Sequence, residues 1–218
     1  MGRPAGPAPR AWAQPANTKG AVPVIHENKG LDDWVRSVAG RLAGARYAAL
    51  AIDVLSGERG TGGFADPAQA TAALAKLPPE RFTHDLKSGV AELKSRAPGQ
   101  KVGVVGFCFG GGLVWQLLAF GARGCAPRSR STARCPTAPP SPEPRPPCWR
   151  PMRRWTPASR GRSRPAKAAL DRAGLTNGIV VEPGADHAFF NDTGARYDAA
   201  AAADAWQRLQ DRFGRYLA

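Results

Sequence analysis

Several things are missing from this chain, and each absence removes a class of protein. No apolar run in its 218 residues approaches the roughly eighteen needed for a membrane-spanning helix. The glycine-rich stretch near position 110 has no Lys-Ser/Thr ending, which argues against a phosphate-binding loop. Histidine is scarce: His26, His84 and His187 are the only imidazoles that could do proton chemistry. Three of the four cysteines, Cys125, Cys135 and Cys148, stand ten and thirteen residues apart, a spacing that matches no zinc pattern. From Arg123 to Pro165 there is no Val, Ile, Leu, Phe or Tyr, so that stretch cannot supply a buried strand.

The same stretch carries the charge. The formal net charge is +14, and residues 123–164 hold eleven Arg, one Glu and no Lys or Asp, leaving the rest of the chain only mildly basic. Eleven of the twenty-one prolines lie in 123–165. Such composition predicts disorder and admits three readings. It could be an Arg-Ser-Pro insertion, with Arg128-Ser129-Arg130-Ser131 resembling an RNA-binding tail. It could be a cysteine-bearing redox or metal segment. Or it could be a coding region read out of frame. Trp is encoded only by TGG and Met only by ATG, so the codons from Cys148 to Thr156 are partly fixed. Read from the third base, with CGN arginine codons, they begin Leu-Ala and give Asp across the Trp155–Thr156 junction. A hydrophobic strand ending in an acid is hidden in the other frame, so we expect residues 123–165 to be frame-displaced. Under that reading the charge gives no reason to expect a nucleic-acid partner.

What is present centres on Lys101-Val102-Gly103-Val104-Val105-Gly106-Phe107-Cys108-Phe109-Gly110-Gly111. A strand-like run meets Gly-x-Cys-x-Gly and then an apolar helical run, Leu113 to Phe120. Small residues two positions either side of a nucleophile suit a sharp strand-to-helix turn, which holds the nucleophile in a strained conformation at the strand's end. That turn would free the Cys108 thiol and aim the Phe109 N–H toward a developing oxyanion. A packed core cysteine is the competing reading.

In order along the chain, residues 1–20 are rich in Pro, Ala, Gly and Arg and are expected to be disordered or a truncated start, without the apolar core of a signal peptide. Ala21 to Ile25 reads as a buried strand running into His26-Glu27-Asn28-Lys29-Gly30-Leu31. Asp32 or Asp33 caps a helix through Leu42, Tyr47 to Ile52 forms the next strand, and Gly57 to Gly63 a glycine-rich loop. Asp66 and Pro67 start a helix to Leu77, and a second runs from His84 to Ser95. Beyond the elbow, Ala166 to Ala173 reads as helix and Gly178 to Val181 as strand. Ala199 to Leu217 reads as an amphipathic helix, with Trp206, Leu209, Phe213 and Tyr216 on one face. Alternating strands and helices predict a single α/β domain over 21–218, interrupted at 123–165, with a mostly parallel sheet covered by helices on both faces.

Three motifs together, Val24-Ile25-His26-Glu27-Asn28-Lys29-Gly30-Leu31, Gly106-Phe107-Cys108-Phe109-Gly110-Gly111 and Gly184-Ala185-Asp186-His187-Ala188-Phe189, resemble the dienelactone hydrolase (carboxymethylenebutenolidase) family, a branch of the α/β-hydrolase fold. The resemblance covers residues 20–121 and 166–218. It implies a Cys-His-Asp triad with Cys108 as nucleophile and His187 as general base. It further implies that Glu27 contacts the resting thiol, and that the Phe109 and Asn28 backbone N–H groups form the oxyanion hole. The implied activity is hydrolysis of a small ester or lactone through a thioester.

The residues support part of this without the family. His187 is the only histidine after the elbow, hence the only candidate for the nucleophile–acid–base order of this fold. His26 and His84 precede the elbow and read as structural or solvent-facing; Glu27 alone would read as a solvated loop carboxylate. The triad acid is the gap. Between Cys108 and His187 the carboxylates are Glu143, Asp171, Glu182 and Asp186, and none occupies the expected place after the next strand. A core strand is expected to be missing or disordered at 123–165, and activity to be impaired. The alternative is an inactive α/β-hydrolase-like protein whose basic segment binds nucleic acid. Nothing calls for a cofactor or metal, no membrane partner is expected, and the cytoplasm is the default location. Arg59 is the one loop arginine considered for substrate recognition.

Overall fold

The structure is a computed structural model that describes residues 11–121, 168, 171–172, 180 and 182–218. The chain divides into two units, Met1–Gly124 with Ala188–Ala218, and Cys125–His187.

The first unit is built on a four-stranded sheet ordered β1-β3-β2-β4. Its strands are β1 (Ala11–Ala13), β2 (Ala21–Ile25), β3 (Ala48–Ile52) and β4 (Val105–Gly106). β3 and β4 both run parallel to β2, and β1 pairs antiparallel with β3. The alternation of side chains along β3 splits the core. Ala48, Leu50 and Ile52 face one way and Ala49 and Ala51 the other, as a strand covered on both faces requires.

Helices α2 (Pro67–Leu74), α3 (Pro79–Arg96) and α4 (Phe109–Gly121) supply Leu74, Phe82, Leu86, Leu93, Phe109 and Leu113 to the first face. Helices α1 (Asp33–Gly44) and α5 (Ala199–Tyr216) supply Trp34, Val35, Val38, Leu42 and Phe213 to the second. α3 reaches the sheet through Gly89, where an added Cβ would stand 2.4 Å from Ile52 Cδ1. The helix starts follow from capping chemistry. Asp32 accepts the Val35 N–H at 2.9 Å, and Asp66 accepts the Gln69 N–H at 2.8 Å with Pro67 at the first helical position.

The structure corrects several expectations. The stretch 1–20 is not wholly irregular, since Ala11–Ala13 forms an edge strand. α2 stops at Leu74, short of Leu77, while α3 starts at Pro79, five residues ahead of His84, because a proline fits a first helical position that a pattern search treats as a breaker. α4 begins at Phe109, directly on the elbow. At the end of α5 Tyr216 is exposed, and the buried position falls to the next residue, the C-cap Leu217. Among the described residues no helix is long and apolar enough to cross a membrane.

In the second unit Ala168, Asp171 and Arg172 are helical, within the helix expected over 166–173. Val180 belongs to no strand, and the rest of the strand expected at 178–181 lies outside the described residues. The missing core strand expected at 123–165 also lies outside them.

Candidate active site

The sheet register brings two distant stretches side by side. Ile25 pairs with Gly106 across the parallel β2–β4 ladder, and the Phe107 N–H continues it to the Ile25 carbonyl at 3.2 Å. Two residues beyond that pair, Glu27 and Cys108 leave neighbouring strand ends, where this kind of sheet presents its reactive groups. Neighbouring strands lie about 4.8 Å apart, so the two side chains issue from adjacent backbones.

At the elbow Cys108 has φ +51°, in the left-handed region that residues with a Cβ seldom occupy, and its side chain is exposed. The two flanking glycines are there because the chain folds back on itself. A Cβ on Gly106 would lie 2.4 Å from the Gly110 carbonyl oxygen, and one on Gly110 would lie 2.5 Å from the Ile25 oxygen and 2.6 Å from the His26 oxygen. Gly110 N–H donates to the Phe107 carbonyl at 2.8 Å, closing the turn. Flanking rings clamp it from both sides: Phe107 packs edge-on to Trp34 at 4.8 Å and stacks on Phe190 at 5.5 Å, while Phe109 meets Phe82 at 5.3 Å.

The environment of the sulfur pushes the Cys108 pKa up. Desolvation is the main cause, and the Glu27 carboxylate adds to it, because a second negative charge beside a thiolate is unfavourable. Two groups pull the other way: a hydrogen bond from the Phe109 backbone N–H to the sulfur, and the charge of Arg196. The thiol therefore rests protonated at neutral pH and needs a base to become a nucleophile.

Glu27 and Asn28 sit on a loop pinned from several sides. His26, fully buried, donates from Nδ1 to the Glu27 carbonyl at 2.6 Å and accepts the Val54 N–H at Nε2 at 3.2 Å. Burial lowers its pKa, so it is a neutral imidazole of fixed tautomer. Thr71 Oγ1 donates to the Asn28 carbonyl at 2.8 Å, and the Leu31 N–H donates to Thr61 Oγ1 at 2.8 Å. Glu27 is nearly buried and Asn28 half-buried, so the reading of Glu27 as a solvated loop carboxylate does not hold. His84 is exposed, with its Nδ1 beside Asp85. Arg59 lies over the Phe64 ring at 4.7 Å.

His187 closes the second unit. It is half-buried, and its backbone N–H donates to its neighbour's carboxylate, Asp186 Oδ1, at 2.6 Å. Ala188, bonded to it, opens the returning segment of the first unit with φ +68°. Four of the five residues singled out in the sequence, Glu27, Asn28, Cys108 and Phe109, thus belong to one unit, and the fifth belongs to the other. Sequence reasoning missed the supports: Asp53, Thr61 and Thr71 behind the Glu27 loop, and Arg196 acting on the thiol. Only Asp53, an acid ending a strand, left a trace in the pattern.

A mostly parallel sheet covered on both faces, with a strained cysteine elbow at its C-terminal edge, defines the α/β-hydrolase class. Residues 10–126 and 161–217 match the model of the dienelactone hydrolase family, and the chain belongs to that family. Relatives from Salmonella typhi and Methylorubrum extorquens that carry carboxymethylenebutenolidase in their names are each 29% identical; the alignments cover 95% and 96% of this chain and 83% and 77% of theirs. Among solved structures, one from Klebsiella pneumoniae named for dienelactone hydrolase superposes with a TM-score of 0.67 at 24% identity, covering 93% of this chain and 91% of its own. A dienelactone hydrolase-like promiscuous phosphotriesterase from metagenomic libraries gives 0.63 at 18%, covering 93% and 89%. At these identities the structural likeness establishes the fold.

Proposed function

We propose that the chain hydrolyses small esters or lactones by covalent catalysis, with Cys108 as nucleophile and His187 as general base. The observation that carries this reading is the elbow itself: a left-handed, exposed Cys108 between the closely packed Gly106 and Gly110, directly before the first residue of α4. Membership of a hydrolase family supports the reaction class. The choice of base is supported by the sequence, where His187 is the only histidine after the elbow.

In the proposed cycle His187 takes the thiol proton and the Cys108 sulfur bonds to the substrate carbonyl carbon. The carbonyl electron pair moves to oxygen, where the Phe109 and Asn28 N–H groups hold it. The intermediate collapses by breaking the ester C–O bond, and the proton on His187 passes to the leaving oxygen. Water, deprotonated by His187, then attacks the thioester, releasing the acid and restoring the thiol. Glu27 acts on the resting thiol, keeping it protonated between turnovers.

The third member is the weak point of this chain. The family match breaks after residue 126 and resumes at 161, leaving out 127–160, most of the Arg/Pro stretch. We read that stretch as a frame-displaced segment that has taken the triad acid with it. Asp186, the acid nearest His187 in sequence, accepts from the histidine's own backbone N–H. Loss of the orienting acid lowers turnover about 10⁴-fold in a comparable triad, so slow turnover is expected here. Steady-state hydrolysis of p-nitrophenyl acetate tests the assignment. Cys108→Ser and His187→Ala should each abolish the activity above background; an unaffected rate in either variant overturns it.

A further inference from the structure

Among the described residues of the first unit the side chains of His26 and Asp53 are both fully buried, and the proposed reaction gives neither a chemical step. Both His26 ring nitrogens are committed, Nδ1 to the Glu27 carbonyl and Nε2 to the Val54 N–H. Asp53 Oδ1 stands 3.8 Å from His26 Nε2, and the Asp53 carboxylate, 1% exposed, accepts the Leu55 N–H at 3.0 Å, the Thr61 N–H at 2.7 Å and the Thr61 hydroxyl at 2.9 Å. The Thr61 oxygen in turn accepts the Leu31 N–H, at the far end of the loop that begins at Glu27. Gly30, φ +87°, lies so close to Thr61 that a Cβ would meet its hydroxyl oxygen at 2.3 Å.

The consequence lies in one peptide plane. The Glu27 carbonyl and the Asn28 N–H belong to the same trans peptide, so they point in opposite directions. Whatever fixes the carbonyl aims the N–H. The His26 Nδ1–H holds that carbonyl at 2.6 Å from one residue away, with the Gly30 N–H as a weaker second donor at 3.4 Å. Thr71 fixes the next plane by donating to the Asn28 carbonyl. Among the described residues the Asn28 N–H itself meets no acceptor, as a donor reserved for substrate would. We propose that His26, braced through the Asp53–Thr61 pair, is a positioning residue that aims the Asn28 N–H into the oxyanion hole. This rests on the reading of Cys108 as nucleophile and of Asn28 as an oxyanion donor.

The test compares two reactions of the same sulfur in the full-length chain. Acylation by p-nitrophenyl acetate builds an oxyanion; alkylation by iodoacetamide does not. Single-turnover p-nitrophenol release reads the first, and the modified peptide Val102–Arg123, which contains no cysteine but Cys108, reads the second. His26→Phe should slow acylation about ten- to a hundredfold, below the full loss of an oxyanion donor, and leave alkylation within about twofold. His26→Gln, which keeps an N–H for the Glu27 carbonyl, should recover most of the acylation rate. Thr61→Val, which removes the hydroxyl link between Asp53 and Leu31, should give the same selective loss and decides the matter if His26→Phe does not fold. Equal loss of both reactions, or loss of neither, overturns the positioning role. A wild-type chain that is alkylated but never acylated overturns the underlying functional reading, and this inference with it.

Discussion

Gly110 lies against β2 so closely that a Cβ at that position would stand 2.5 Å from the Ile25 carbonyl oxygen. The contact ties the first turn of α4 to the end of β2, and so ties Cys108 to the loop of Glu27. Gly110→Ala must push backbone from backbone, which no rotamer change can relieve. We expect it to destabilise the chain by about 1–3 kcal/mol or more. Gly112, where an added Cβ meets nothing within 4 Å, is the control: Gly112→Ala should melt at or above the wild-type temperature. Thermal denaturation followed by circular dichroism reads both.

The Cys108 thiol should titrate above the ordinary range, because desolvation and Glu27 both oppose the thiolate. A free thiol titrates at about 8.5. Alkylation of the Val102–Arg123 peptide as a function of pH should show a midpoint above that value. Glu27→Gln removes the neighbouring negative charge and should lower the midpoint, while Arg196→Ala, which removes a cation, should raise it.

His26 links stability to pH. Burial lowers its folded-state pKa below the ordinary 6.5, against the raising influence of its bond to Glu27 and of the Asp53 and Asp32 carboxylates. A base whose folded pKa is depressed contributes its stability fully above the unfolded value and loses it as pH falls toward the folded one. Urea midpoints should therefore decline as pH drops below about 6.5. In His26→Gln that part of the slope should disappear, although the variant starts less stable at neutral pH.

Much of this architecture is written locally. The strand ending at Ile52, a helix cap from the Asp32–Asp33 pair, the Asp66 cap and the glycine spacing around Cys108 each act within a few residues, and the structure has β3 ending at Ile52, Asp32 and Asp66 as caps and the elbow at Cys108. What was illegible depends on distance in the chain. The Asp53–Thr61–Leu31 chain of hydrogen bonds joins two loops, the one after β3 and the one after β2, and no periodicity encodes it. The burial of Glu27 follows from the β2–β4 register, which a single strand cannot announce. β1 escaped because three residues, Ala11–Ala13, are too few to show alternation beside a Pro-rich stretch. Pro79 misled for another reason, since proline breaks a helix in its interior and begins one at its first position.

The missing acid makes a genetic prediction. If residues 123–165 are frame-displaced, the source DNA should carry two compensating changes flanking them, and restoring the frame should add a strand ending in Asp. The repaired chain should turn over p-nitrophenyl acetate faster, by up to about 10⁴-fold. Uninterrupted single-frame coding in the source gene rejects the displacement.

The central claim is that Cys108 is an acylating nucleophile, and peptide mass mapping after brief exposure to p-nitrophenyl acetate tests it most directly. The account predicts one acetyl group on the Val102–Arg123 peptide, removed by hydroxylamine as a thioester is, absent in Cys108→Ala and slow to form in His187→Ala. Acetylation distributed over lysines and the other cysteines, with Cys108 unmodified, would contradict it.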